Sequence, residues 1–289
     1  MSLAFRLLNV FALADDPFSG NPLAVIEDAS GLDDAAMLAI ARQFNLSETT
    51  FVTAGADASD ATVRIFTPGY EMPFAGHPTL GTACVVGERL GRRHVVLRVP
   101  AGDIPVDGPD EAGAAAGSSE QTWTLTANPA TITAAGVSRA DLATVLGLAE
   151  GDLVDEGWWV DAGVDQFLVE ARSVQAVRTA SPDPAAARRF VLSPRGESMA
   201  LVWAWTGTDS IEARFFFSQD AALLEDPATG SAAANLGSLL AARGFRGRVT
   251  LAQGAAVSRP SRLHIAVTDV GAVRVGGLVR EIGRGTLAL

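Results

Sequence analysis

Two distant stretches of the chain resemble one another, and this likeness restricts the fold more than any other feature. Arg64 to Gly91 reads RIFTPGYEMPFAGHPTLGTACVVGERLG, and Ala213 to Gly244 reads ARFFFSQDAALLEDPATGSAAANLGSLLAARG. In each, an arginine opens an aromatic strand, a turn follows, and a G(T/S)A step leads into an apolar helix. Laid over one another, His77-Pro78 matches Asp226-Pro227 and Gly81-Thr82-Ala83 matches Gly230-Ser231-Ala232. Such a chain is built from two related halves, each carrying a strand, a glycine-containing turn and the start of a helix.

A helix start exposes backbone N–H groups with no intrahelical partner and the positive end of the macrodipole. It is therefore a seat for a carboxylate or phosphate. Gly81 and Gly230 are expected to let the backbone approach a ligand, since no Cβ intervenes. Each stretch adds an ionisable side chain at the lip, His77 in one and Asp226 in the other. The competing reading is an old duplication whose copies share only packing glycines and alanines. Packing does not call for His and Asp at matching places, which favours one active site between two halves.

At 289 residues the chain exceeds the usual span of one domain. We place an N-terminal lobe at 1–118, which the C-terminal strand 278–289 can complete, and a C-terminal lobe at 119–277. Apolar residues make up 48%, enough for a large core. The net charge of −11 argues against nucleic-acid and anionic-membrane partners, neither of which finds a basic stripe here. There is no lysine, which excludes Schiff-base chemistry and a P-loop, and no GxGxxG follows a strand. No cofactor is expected. One cysteine, Cys84, and three scattered histidines give no disulfide and no metal constellation. Cys84, inside a helix, reads as a core filler rather than a nucleophile. The N-terminus enters a strand directly, without a signal peptide or a long apolar run, so a cytoplasmic location is expected.

Along the chain, alternation and turn residues predict strands at Phe5–Leu13, Leu23–Ile26, Thr49–Thr53, Arg92–Val99, Trp123–Thr126, Gly157–Val160, Gln166–Glu170, Met199–Trp205, Gly247–Gln253, Leu263–Thr268 and Val273–Arg280. Helices are predicted after Asp33-Asp34, over Gly81–Leu90, after Ser138, and over Pro182–Phe190. The acidic, Gly/Ala/Ser-rich Asp107–Gln121 reads as a mobile loop. Glu48 sits at a loop-to-strand junction between Leu46 and Phe51, both of which read as buried. A carboxylate partly removed from water can serve as a general acid or base. Local sequence by itself favours a solvated strand-edge carboxylate there.

Several blocks occur in one order from end to end: GNPLAVI (Gly20–Ile26), SETTFV (Ser47–Val52), RIFTP with EMPFAGHPTLGTA (Arg64–Ala83), EDPATGSAA (Glu225–Ala233), and QG with RPS (Gln253-Gly254 and Arg259–Ser261). Together they resemble the signature blocks of the PhzF-like, phenazine-biosynthesis family. The resemblance implies an α+β fold of two pseudo-symmetric, diaminopimelate epimerase-like lobes. Each is a β-sheet wrapped around a central helix, with those helices starting at Gly81 and Gly230. It implies a cofactor-independent isomerase that moves a proton between carbons of a small cyclic carboxylate such as dihydro-hydroxyanthranilate. Glu48 is then the acid/base, with His77 and Asp226 as further catalytic residues and Gly76, Gly230 and Ser231 as substrate-binding residues in the inter-lobe cleft. It implies a homodimer as well. The two thiols of diaminopimelate epimerase have no counterpart, since Ala75 and Pro227-Ala228 stand near those places. Where the family often has glycine before RPS, this chain has Ser258, and a local turn adjustment is expected. Two other readings keep the same frame: an epimerase or racemase of a small amino or hydroxy acid using Glu48 and Asp226, and a non-catalytic ligand-binding protein.

Overall fold

The computed structural model describes residues 2–109, 121–193, 196–219 and 222–289. Most of the loop expected at Asp107–Gln121 lies outside the described residues. The chain divides into two compact units, Met1–Thr126 with Gly276–Leu289, and Ala127–Val275.

The first unit contains strands β1 (Ser2–Ala12), β2 (Asn21–Ile26), β3 (Glu48–Ala54), β4 (Ala61–Phe66), β5 (Glu71–Met72), β6 (His94–Val99), β7 (Gly102–Asp107) and β8 (Gln121–Thr126). Its helices are α1 (Asp34–Phe44) and α2 (Gly76–Leu90). The long strand β17 (Val273–Ala288) returns to this unit and pairs antiparallel with β1, from Ser2↔Ala288 to Ala12↔Leu278. Pairing continues β1–β2, β2–β3, β3–β4, β4–β6, β6–β7 and β7–β8, and β8 meets β17. The sheet thus closes on itself, and every residue of α2 from Gly76 to Gly87 is buried. Period-two alternation sorts the side chains. Leu3, Ile26, Phe51 and Phe66 pack outward with Met37, Ile40 and Ala41 of α1. Glu48 and Thr50 take the opposite face, toward α2.

The second unit repeats the plan with β9 (Thr131–Ala134), β10 (Trp158–Asp161), β11 (Asp165–Glu170), β12 (Met199–Trp205), β13 (Ser210–Gln219), β14 (Ala222–Asp226), β15 (Gly247–Gln253) and β16 (Ser261–Val267). Helices α3 (Arg139–Leu146), α4 (Val174–Thr179) and α5 (Pro184–Phe190) cover one face, and α6 (Gly230–Ala242) lies on the other. Leu142, Val145, Leu146 and Val177 pack with Phe167, Val169, Val202 and Phe216 in the outer core. Ala232 to Leu240 of α6 are buried.

The paired arginines of the repeat have a structural role. Arg64 holds Glu71 in a two-pronged pair, Nε to Oε1 at 2.7 Å and Nη2 to Oε2 at 2.5 Å, and lies over the ring of Phe66 at 5.0 Å. Arg214 does the same with Glu225 and Phe216, and Nη1 also donates to the carbonyl of Ala180 at 2.6 Å. In both hairpins the phenylalanine stands opposite the glutamate, Phe66↔Glu71 and Phe216↔Glu225, so these positions are equivalent.

That equivalence corrects the register of the repeat. One residue further along each hairpin, Met72 pairs with Ile65 and Asp226 with Phe215. Pro73 and Pro227 follow, and the helices start at Gly76 and Gly230. His77 therefore corresponds to Ser231, and Asp226 to Met72; the match of His77-Pro78 with Asp226-Pro227 does not hold. The first central helix starts at Gly76 rather than at Gly81. Pro78 does not break it, because a first-turn proline loses only an N–H that has no intrahelical partner. Gly81 lies inside α2, where a Cβ would come 2.5 Å from Leu23 Cδ2 and 3.0 Å from Val10 Cγ2. It is a packing glycine, not a place where backbone meets ligand.

Ser258, where the family often has glycine, adopts the left-handed conformation (φ 57°, ψ 28°). No helix among the described residues is long and apolar enough to cross a membrane.

Candidate active site

In the first unit, strand β3 and helix α2 bring Glu48 and His77 together. His77 Nε2 lies 3.3 Å from Glu48 Oε2, with the side chains 6% and 15% exposed. A second polar contact beneath them fixes the register, Thr50 Oγ1 to Thr82 Oγ1 at 2.8 Å, fully buried. Two residues along a strand span about 6.6 Å and five along a helix about 7.5 Å, so both contacts can form along one line.

Burial pushes His77 down to about 3, partly offset by a hydrogen bond to the Pro22 carbonyl. A carbonyl can only accept, and Nε2 has no hydrogen-bond partner among the described residues, so Nδ1–H is the donor to Pro22. The ring is neutral and presents the Nε2 lone pair to the Glu48 carboxyl. It accepts a hydrogen bond from a protonated Glu48 and can offer none to the carboxylate.

Gly76 and His77 are the first two residues of α2, after Ala75, which has no capping side chain. Their N–H groups are the kind left over at a helix start. Cys84, inside the same helix, is buried, and burial pushes its thiol up to about 12, so it is not a nucleophile at neutral pH.

In the second unit, Asp226 ends β14, and its Oδ2 accepts from Thr229 Oγ1 at 2.5 Å. Gln253, buried at 3% exposure, clamps this turn. Its Nε2 donates to the Asp226 carbonyl at 2.8 Å and to Thr229 Oγ1 at 3.1 Å, and its Oε1 accepts from Thr229 N at 3.3 Å. Gly254 follows at φ 82°, where a Cβ would sit 2.3 Å from the Arg259 carbonyl oxygen and 2.4 Å from that of Pro227. The Gln-Gly pair thus holds the turn that carries Asp226. Gly230 and Ser231 open α6, and Ser231 Oγ accepts from Gln166 Nε2 at 2.9 Å.

Each unit therefore gathers its own share of the expected residues: Glu48, His77 and Gly76 in the first, Asp226, Gly230 and Ser231 in the second. Sequence reading missed Gln166, Asn235 and the side-chain role of Gln253. The signal for the first two was a lone amide inside an apolar strand and another inside an apolar helix, since buried polar side chains are bonded to something.

A model of the PhzC-PhzF family, described as phenazine biosynthesis-like protein, matches residues 10–279. The chain is 37% identical over 287 residues to an uncharacterized isomerase of Pasteurella multocida, covering 98% of this chain and 93% of that protein. It is 34% identical over 289 residues to the trans-2,3-dihydro-3-hydroxyanthranilate isomerase of Pseudomonas fluorescens, covering 96% and 97%. Among solved structures, a Bacillus anthracis phenazine biosynthesis protein of the PhzF family superposes with a TM-score of 0.83 at 22% identity, with 100% of both chains covered. A predicted epimerase from Pseudomonas aeruginosa superposes with a TM-score of 0.81 at 30% identity, with 99% of both covered. The α+β, diaminopimelate epimerase-like fold expected from the signature blocks is the fold found.

Proposed function

Because the chain belongs to the PhzC-PhzF family of phenazine biosynthesis-like isomerases, we propose that Glu48 moves a proton between two carbons of a small cyclic carboxylate resembling dihydro-hydroxyanthranilate. The observation that carries this reading is the placement of Glu48 against the neutral imidazole of His77. Glu48 as carboxylate takes a proton from a carbon next to an unsaturated system, and the electron pair left behind spreads over that system. Glu48, now a carboxylic acid, is the form that His77 Nε2 stabilises by accepting a hydrogen bond. The acid then returns the proton to another carbon of the same system, and the carboxylate is restored. Nothing is oxidised or reduced, and no group leaves.

In this reading Gly76, Gly230 and Ser231 are substrate-binding residues that offer N–H and hydroxyl donors, and Asp226 binds a polar substituent. Glu48 corresponds to Met199 in the second unit and Asp226 to Met72 in the first, by the strand pairings Phe51↔Arg64, Val202↔Arg214, Ile65↔Met72 and Phe215↔Asp226. The duplication did not supply two equivalent bases, which favours one base acting twice over a two-base racemase.

The test is incubation in D₂O with trans-2,3-dihydro-3-hydroxyanthranilate and a panel of cyclic and amino carboxylates, followed by NMR. Enzyme-dependent conversion to a positional isomer, lost in Glu48→Gln, is the expected result. Exchange at a single stereocentre without a positional isomer would replace the reading with an epimerase, and full turnover by Glu48→Gln would remove the residue from its role.

A further inference from the structure

Behind Ser231 lies a chain of buried side-chain amides whose polarity can be read without ambiguity. Asn235 Oδ1 lies 2.9 Å from the Ala162 N–H, which can only donate, so that atom is the amide oxygen. Asn235 Nδ2 then donates to the Val164 carbonyl at 2.9 Å and to Gln166 Oε1 at 2.8 Å. This turns Gln166 Nε2 toward Ser231 Oγ, 2.9 Å away, as a donor. The Ser231 oxygen is therefore an acceptor on its protein side, and no group among the described residues takes its proton.

The first unit shows that the fold does not need these amides. Following the strand registers Ile26↔Phe51↔Arg64 and Val169↔Val202↔Arg214, Gln166 corresponds to Leu23. Counted from the helix starts, Asn235 corresponds to Gly81. At that place in the first unit Leu23, Val10 and Leu8 close directly over Gly81. Apolar packing satisfies the same junction at no polar cost, whereas the second unit buries two amides, each 1% exposed. Buried amides are costly unless bonded, and here both amide protons of Asn235 have acceptors while Gln166 donates one of its own to Ser231 Oγ.

We propose that Gln166 and Asn235 are positioning residues that fix the Ser231 hydroxyl as a hydrogen-bond donor, aimed at an acceptor oxygen of the ligand such as a carboxylate. This rests on the reading of Ser231 as a substrate-binding residue and assigns that residue's polarity.

A double-mutant cycle tests it, with anthranilate as the binding probe and trans-2,3-dihydro-3-hydroxyanthranilate for turnover. Gln166→Leu is expected to weaken anthranilate binding and raise KM about ten-fold, the order of one hydrogen bond to an anion, with a smaller change in kcat. In a Ser231→Ala background the same substitution should change neither. Equal losses in both backgrounds would make Gln166 a packing residue and overturn the proposal. Gln166→Glu covers the case in which the leucine variant does not fold. Its carboxylate turns the Ser231 proton inward and should weaken binding at neutral pH, with recovery as the introduced acid is protonated and donates again. Wild-type affinity at all pH values would also overturn the proposal. If Ser231→Ala leaves binding unchanged while the wild type still isomerises substrate, the relay falls and the Glu48 reading stands. Ser231-dependent binding without any proton transfer leaves the relay standing and removes the Glu48 reading.

Discussion

Lowering the pH probes the first-unit pair directly, because His77 is held neutral by burial. In an unfolded chain its imidazole titrates near about 6.5, and in the folded chain near about 3. Between those values the unfolded state binds one more proton than the folded state. The stabilisation is therefore fully present above about pH 6.5 and is lost as pH falls toward 3, at about 1.4 kcal/mol per pH unit. At pH 5 the loss is about 2 kcal/mol. His77→Asn is the matched control, since its amide can still donate to the Pro22 carbonyl but cannot titrate. Urea unfolding of both proteins at pH 7, 6 and 5 gives the difference in stability, in which the shared carboxylate titrations cancel. That difference should shrink by about 2 kcal/mol from pH 7 to pH 5. Long-range ¹H–¹⁵N NMR should show the His77 ring neutral, protonated on Nδ1, and unchanged down to pH 5. A ring that titrates near 6.5, or a stability difference that stays flat, would refute the buried neutral imidazole and with it the hydrogen bond assigned to the protonated Glu48.

Glu48→Gln should keep the fold by circular dichroism and lose about 10²–10⁴-fold in kcat, the usual worth of a positioned acid/base. Gly254→Ala should destabilise by about 3 kcal/mol or more in denaturant titration, because both a positive φ and two backbone oxygens oppose the new Cβ. Ser258→Gly should stabilise by about 0.5–1 kcal/mol, since the native φ of 57° is one that serine adopts at a cost; a loss of stability would show that the serine side chain has an unrecognised role. Arg214→Met should cost about 3–5 kcal/mol by leaving the Glu225 carboxylate, 8% exposed, without its cation. Arg64→Met should cost less, because Arg64 and Glu71 are each 30% exposed.

Strands with a clear alternation or a clean turn at each end were legible in the sequence: Met199–Trp205 and Gly247–Gln253 have the same bounds in the structure. Capping residues were legible too, as at Asp33 before α1 and Ser138 before α3. Elements whose order comes from their neighbours were not. Strand β5 is two residues held by a hairpin and an Arg–Glu pair, and β9 is mostly exposed and defined by pairing with β10. Strand β17 runs on to Ala288 through a Gly-rich sequence because β1 offers it a ladder along its whole length. The repeat was legible, but its register was misread by matching His-Pro with Asp-Pro. Proline marks a turn end in one copy and a helix first turn in the other, and only strand pairing tells them apart. Glu48 looked like a solvated edge carboxylate from its neighbours. What buries it is a helix that begins some thirty residues later.

The two units are one design with opposite choices of where to place polarity, and this separates what the fold requires from what the chemistry requires. The arginine, phenylalanine and glutamate of the hairpins are kept in both copies, and they do the same structural work in each. The first unit has Glu48, Thr50 and Thr82 where the second has Met199, Leu201 and Leu236; the second has Gln166, Asn235 and Asp226 where the first has Leu23, Gly81 and Met72. At each of these places the other copy packs an apolar residue or glycine, so a buried polar group there is not needed to close the barrel or seat the helix. Removing such a group while keeping its volume should therefore cost function more than stability. Thr82→Val sharpens the point, because its counterpart is the buried Leu236 and, among the described residues, its hydroxyl bonds to that of Thr50 alone. Paired with Thr50→Val, so that neither hydroxyl is left orphaned, it should change stability by less than about 1 kcal/mol. Turnover should fall as the Glu48–His77 register loosens. A double variant that unfolds but, where folded, turns over normally would show that the polar choices in the first unit serve the fold after all.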